Sequence, residues 1–378
     1  MKRILLDVNS IVPYLVTGRT TGIGRTTIEL VEALANYSKE LPFKISLYSQ
    51  NMKGIGAKDL NLSFDSVHFY VPNRERYNKI LAYTPLKEWC SPYDLMHLPH
   101  NFGYVHQPEK TLVTLHDALF MRMEEKAFNH RQMREQVPNL MQRCKGIITC
   151  SQASKKDIVE TMQIDPQKIN VVYWGVKHEV FYFLQDKEKI AHLLSNTMSI
   201  HRPFFLSVSC NAERKNTHHL VSAYLNLCKQ NPNNDLVLVW GNPPEFVIQM
   251  IQKSGYENRV HFVFNVSDSE LAFLYNGATA MIFPSSYEGF GLPILEAMAC
   301  GCPVVTSNNS SLSEVGGNAA LYLNTSAISD IEIVLAGFEN NGFNLLELKD
   351  KSIAQATKFN WQNTAAKHID IYKQYLEI

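Results

Sequence analysis

Short apolar runs alternate with amphipathic segments along the whole chain. In the first half, runs at Ile4–Val8, Ile45–Tyr48, Val67–Val71, Leu95–Leu98, Leu112–Leu115 and Ile147–Thr149 predict buried strands. Helical spacing over Arg25–Tyr37 and Lys155–Met162 predicts helices between some of them. The rhythm restarts with strands expected at Phe204–Val208, Leu236–Trp240, Val260–Val263, Ala280–Phe283 and Val304–Thr306, and a helix near Thr217–Cys228. Ser267 and Glu270 have capping-box spacing, which opens a helix through Asn276. Such alternation implies parallel sheets with right-handed crossovers, the α/β class. The polar, punctuated stretch Phe181–Pro203 reads as an interdomain linker, dividing the chain into domains 1–180 and 181–359.

The bulk numbers narrow the function. A chain of 378 residues suits two such domains. Lys+Arg and Asp+Glu are both 36, and this balance argues against a dedicated nucleic-acid binder, which needs a basic excess. The seven cysteines are scattered apart from Cys300 and Cys302, and a lone C-x-C does not make a zinc site. Most of them read as buried thiols of a reducing compartment. The opening MKRILLDV reads as a strand rather than a signal peptide, and no run approaches the roughly 18–20 apolar residues of a membrane span. The expectation is a cytoplasmic protein, at most resting on the inner face of the membrane.

In doubly wound sheets ligands bind beyond the carboxyl ends of the strands, so the loops there hold the candidates. After Ala280–Phe283 comes Pro284-Ser-Ser-Tyr-Glu288-Gly-Phe290-Gly291-Leu292-Pro293, then a helix carrying Glu296 that Gly301 ends. Helix-start N–H groups can bind phosphate or sugar oxygens, and the helix dipole would keep Glu288 and Glu296 ionised. An ionised carboxylate accepts from neighbouring hydroxyls; the plainer reading is two helix caps. After Phe204–Val208, Arg214-Lys215-Asn216 brings two cations to a helix start, suited to a diphosphate or merely to a solvated turn. Thr21-Gly22-Ile-Gly24-Arg25 opens a helix but lacks both the third glycine of a dinucleotide fingerprint and the lysine of a P-loop. His116-Asp117 follows another strand, with His97 and His100 at the end of the preceding one. A histidine so placed is either structural or part of a sugar pocket. The sequence holds no Asp-x-Asp and no zinc-like histidine spacing, so neither metal nor cofactor is expected.

The strand–EGFG–Pro–helix–Gly–Pro–strand segment resembles the E-x7-E block of the family-four retaining glycosyltransferases. The R-K-N block, the glycine loop, the H-D pair, Gly175-Val176 and the tail Phe359-Asn-Trp361 extend the likeness over nearly the whole chain. Departures are Glu213 where proline is common, Thr26 where an aromatic is common and Lys177 in place of an aspartate. The resemblance implies the GT-B fold: two Rossmann-like domains facing across a closing cleft, with the tail 360–378 returning to the first. It implies that Glu288 contacts the donor sugar and Glu296 the ribose. The backbone of Phe290, Gly291 and Leu292 would reach sugar and phosphates. Arg214 and Lys215 would stabilise the leaving diphosphate in place of a metal, and His116 would touch the transferred sugar. Gly22 and Gly24 would border the donor phosphates and acceptor, and Asp117 would join the substrate-binding residues.

The implied activity is retaining transfer of a hexose from GDP-mannose or a UDP-sugar to a glycan, lipid-linked in surface polysaccharide or lipopolysaccharide assembly. The rivals are a non-catalytic GT-B partner protein, a sugar-nucleotide epimerase and a nicotinamide oxidoreductase. Arg74, Arg76, Lys79 and Lys87, interleaved with Tyr77, Tyr83 and Trp89, make a basic–aromatic surface suited either to peripheral membrane contact or to plain solvent.

Overall fold

The computed structural model describes residues 1–18, 21–72, 75–123 and 130–378. They form two compact units, Met1–Gly175 with Trp361–Ile378, and Val176–Asn360. Arg74 lies outside the described residues.

The first unit is built on a parallel sheet of seven strands: β1 (Arg3–Asp7), β2 (Lys44–Gln50), β3 (Asp65–Phe69), β4 (Leu95–Leu98), β5 (Thr111–Thr114), β6 (Gly146–Thr149) and β7 (Ile169–Val171). They lie in the order β3-β2-β1-β4-β5-β6-β7. The second unit has six parallel strands: β8 (Phe204–Ser209), β9 (Asp235–Trp240), β10 (Val260–Val263), β11 (Ala280–Phe283), β12 (Val304–Ser307) and β13 (Leu321–Leu323), in the order β10-β9-β8-β11-β12-β13. Central strands are covered on both faces, which is why they read as unbroken apolar runs. Leu5, Met96, Val113 and Ile147 join one core; Phe205, Leu236, Ile282 and Leu335 join the other. In each unit the winding reverses once, between β1 and β4 and between β8 and β11. Those reversals open crevices at the strand ends, where α/β sheets take ligands.

The stretch Phe181–Pro203 is not a linker. It lies inside the second unit and contains the helix Lys187–Met198, whose Ile190 and Leu194 are buried. The polar residues that suggested a linker occupy the helix's outer face, and the Asp186 side chain caps its start, accepting from the Lys189 N–H at 2.9 Å. The chain passes between units at Gly175–Val176 and Asn360–Trp361.

The final helix, Trp361–Leu376, completes the first unit. The Thr364 hydroxyl donates to the Tyr173 carbonyl at 2.8 Å, and Trp361 stacks on Trp174 at 6.0 Å. His97, expected near an acceptor pocket, is instead fully buried between this helix and the sheet. Its Nδ1 is 2.7 Å from the Tyr372 hydroxyl and its Nε2 2.8 Å from the Thr114 hydroxyl. Both ring nitrogens are used by the core, so His97 is structural.

Candidate active site

In the second unit, the loops following β8 and β11 meet at the crevice between those strands. The first forms a 3-10 turn, Glu213–Lys215, and Asn216 takes a left-handed conformation (φ 49°) before the helix Thr217–Cys228. The Ser286 N–H donates to the Arg214 carbonyl at 2.8 Å, and Asn216 Nδ2 donates to the Pro284 carbonyl at 3.1 Å. Backbone lacing of this kind fixes both loops before any charge is considered.

Three charged side chains then converge. Arg214 Nη1 lies 2.8 Å from Glu288 Oε1, Lys215 Nζ 2.7 Å from the same oxygen, and the Ser285 hydroxyl donates to it at 2.6 Å. Lys215 Nζ also sits 4.4 Å from the centroid of the Phe283 ring. The Glu288 side chain is 13% exposed, and those of Arg214 and Lys215 are 15% and 12%. Burial alone would raise the Glu288 pKa, but Lys215 and Arg214 outweigh it and hold the carboxyl below its ordinary value. The helix dipole expected to do this belongs to a helix that starts four residues later, at Leu292; the two cations do it instead. One carboxylate oxygen thus holds both cations.

Gly291 caps the helix Leu292–Ala299 at φ 107°, with Pro293 in its first turn. The N–H groups of Gly291 and Leu292 donate to no acceptor among the described residues. Ser310 and Ser311 brace the loop: the Glu288 N–H donates to Ser310 Oγ at 2.9 Å, and Ser311 Oγ lies 2.8 Å from the carbonyls of Glu288 and Phe290. The Phe290 side chain is buried. Glu296 is also buried, at 3% exposure, and accepts from the Tyr275 hydroxyl at 3.2 Å.

The remaining candidates lie in the first unit. The Thr21 hydroxyl caps the helix Gly22–Ala35 by accepting from the Gly24 N–H. A Cβ added at Gly22 would meet nothing within 4 Å. His116 is buried, with its Nε2 3.2 Å from the Pro99 carbonyl and its ring 5.4 Å from Trp174. Burial pushes its pKa down to about 4, so the ring is neutral at physiological pH. Asp117 accepts from the Leu119 N–H at 2.9 Å. Lys87 departs most from its sequence reading, because it is buried at 6% exposure with its Nζ 4.8 Å from the Tyr48 ring centroid. Ser285, Ser310 and Ser311 were not singled out from sequence; the serine doublets beside strand ends were the available signal.

The model described as Glycosyltransferase Family 4 matches residues 20–180, and that described as Glycosyl transferases group 1 matches residues 195–359. The chain belongs to glycosyltransferase family 4. This family 4 enzyme is 26% identical over 368 residues to the O-antigen chain mannosyltransferase B of Escherichia coli, covering 93% of this chain and 96% of that protein. It is 29% identical over 279 residues to the serotype-specific mannosyltransferase WbdA of Escherichia coli, covering 71% of this chain and 34% of that one. The matched segment thus spans about a third of WbdA. Sucrose-phosphate synthase of Thermosynechococcus elongatus superposes with a TM-score of 0.73 at 19% identity, covering 99% of both chains. The likeness identifies the GT-B fold, and the chain is a glycosyltransferase.

Proposed function

We propose that this enzyme transfers mannose from GDP-mannose to a glycan acceptor with retention at the anomeric carbon and without a metal. The observation that carries the proposal is the convergence of Arg214, Lys215 and Ser285 on one oxygen of Glu288. The mannose assignment leans on the names of the two relatives above.

Each residue has a role suited to its chemistry. Two adjacent cations suit a diphosphate, with Arg214 and Lys215 as the donors that strengthen as charge builds on the leaving oxygen. Glu288 accepts from a sugar hydroxyl while keeping both cations in position. Glu296 is the ribose acceptor, and the N–H groups of Phe290, Gly291 and Leu292 reach sugar and phosphate oxygens. Neutral His116 supplies a hydrogen bond to the sugar, with Asp117 ordering the turn after it. Gly22 and Gly24 let a ligand approach the helix start closely.

In the reaction, the bond from the anomeric carbon to the phosphate oxygen lengthens toward an oxocarbenium-like state. The acceptor hydroxyl forms the new bond on the same face, and its proton passes to the departing phosphate. Arg214 and Lys215 thereby supply the charge neutralisation that a metal would otherwise supply.

The acceptor proposed is a lipid-linked glycan of surface polysaccharide assembly. Tyr83 and Trp89 are 84% and 73% exposed, a surface able to rest on anionic lipid from the cytoplasmic side. No helix among the described residues is long and apolar enough to cross a membrane. Vesicles containing anionic lipid should float part of the protein at low salt; none floating would favour a water-soluble acceptor.

The donor is tested by incubating the enzyme with GDP-mannose, UDP-hexoses and candidate acceptors, then reading the anomeric configuration of the product by NMR. An α-linked mannoside from the α-configured donor is expected. An inverted product would overturn retention, and epimerised donor formed without acceptor would favour the epimerase.

A further inference from the structure

The first unit has its own crevice, and the transfer chemistry proposed above leaves it unused. At the winding reversal between β1 and β4, a cavity of about 330 Å³ is lined by Asp7, Tyr48, Gln50, Lys87 and His100, among others. That volume is at the small end of ligand pockets, which run from about 300 to 1,000 Å³.

Most polar groups of the wall bond to one another. Asp7 Oδ1 accepts from the Asn9 N–H at 2.8 Å and from Asn9 Nδ2 at 2.9 Å, and lies 3.6 Å from His100 Nε2. His100 Nδ1 is 2.8 Å from the Phe102 carbonyl, and against the opposing effect of burial the neighbouring Asp7 raises the His100 pKa. Tyr48 donates to Gln50 Oε1 at 2.6 Å. Lys87 is the exception. Its ammonium sits over the Tyr48 ring, and no carboxylate among the described residues comes within the 4.0 Å of an ion pair. Asp7 and Glu88 act on it only at longer range, and burial outweighs them to lower its pKa. Asp7 lies against His100, so the buried Lys87 ammonium has no carboxylate in contact with it among the described residues. A buried charge is costly until a counter-charge and hydrogen bonds meet it.

Bonds within the same unit also link the cavity to His116. Ser10, another lining residue, donates to the Thr27 hydroxyl at 3.0 Å. The Pro99 carbonyl lies 3.5 Å from that hydroxyl and 3.2 Å from His116 Nε2. We propose that this cavity is an acceptor subsite in which Lys87 grips an anionic group, a phosphate or carboxylate, carried on the acceptor. The assignment of this anion to the acceptor rests on the transferase reading; the anion site itself does not. A neutral sugar alone would offer the ammonium only dipoles, whereas an anion cancels its charge and accepts its N–H bonds.

The test uses two glycosides sharing one ring, methyl α-glucuronide and methyl α-glucoside, with dissociation constants measured by ligand-observed NMR and no nucleotide sugar present. The glucuronide should bind the wild-type enzyme about tenfold tighter, equivalent to about 1.4 kcal/mol. Lys87→Met should abolish the preference and Lys87→Arg should keep part of it. Inorganic phosphate should displace the glucuronide from wild type, showing that the site takes phosphate as well as carboxylate; no displacement would remove phosphate from the proposal. Equal binding of the two glycosides by wild type would overturn the proposal even if neither variant folds, and so would a preference that survives in Lys87→Met. Failure of the transferase reading would appear separately, as absent sugar transfer with the anion preference intact.

Discussion

Removing the Arg214 or Lys215 side chain leaves Glu288 with one cation in place of two and, on the mechanism proposed, takes one aimed donor from the leaving group. Loss of such a donor costs about 3 kcal/mol of barrier, roughly a hundredfold in rate. Arg214→Ala should therefore turn over about a hundredfold more slowly while its far-ultraviolet dichroism stays that of wild type; turnover within threefold would remove Arg214 from the mechanism. His116 offers a test through pH. Its ordinary value of 6.5 is lowered to about 4 by burial, so below 6.5 the unfolded chain binds a proton that the folded chain refuses. Stability from this group is complete above 6.5 and is lost as pH falls toward 4. Relative to wild type, His116→Gln should gain about 2 kcal/mol in urea unfolding between about pH 7 and about pH 5. Parallel pH dependence would show that the imidazole is not buried neutral. The charged trio was legible because its members sit just beyond predicted strands. Lys87 was not, since nothing in its neighbours foretells that a lysine among aromatics will turn inward over Tyr48.

Among the elements, the glycine cap at the start of Leu292–Ala299 fixes how the loop carrying Glu288 enters the helix. Gly291 stands at φ 107°, and a Cβ there would lie 2.9 Å from Leu312 Cδ2. Gly291→Ala combines backbone strain with that contact and should destabilise by about 1–3 kcal/mol, lowering the urea midpoint. An unchanged midpoint would mean that the loop tolerates another entry. The longer central strands and the capping box of the helix Asp268–Gly277 could be read from pattern, because the strands are continuous apolar runs and the cap pairs a serine with a glutamate. β7 and β13 span three residues each and are too short to display a period. The helix Lys187–Met198 buries only Ile190 and Leu194, a stripe thin enough to pass for a polar linker.

For the whole molecule, the chain's return into the first unit matters most. Trp361–Leu376 supplies Tyr372 to His97 and Thr364 to the Tyr173 carbonyl, while its own Tyr375 carbonyl accepts from Lys145 Nζ at 2.8 Å. Truncation after Asn360 would expose the apolar face of the first unit and leave His97 without one partner. Residues 1–175 should then lose protection in hydrogen exchange, while 176–360 keep theirs; a protected first unit in the truncated chain would contradict this role. The tail's place was suggested by resemblance, since spacing alone cannot tell which core a terminal helix joins. The claim that most depends on the cluster around Glu288 is that its two cations ease diphosphate away from an activated sugar. The most direct measurement is single-turnover release of GDP from GDP-mannose in the presence of an acceptor glycan, comparing wild type with Lys215→Met. A rate about a hundredfold lower at saturating donor is predicted, and equal rates would contradict the account.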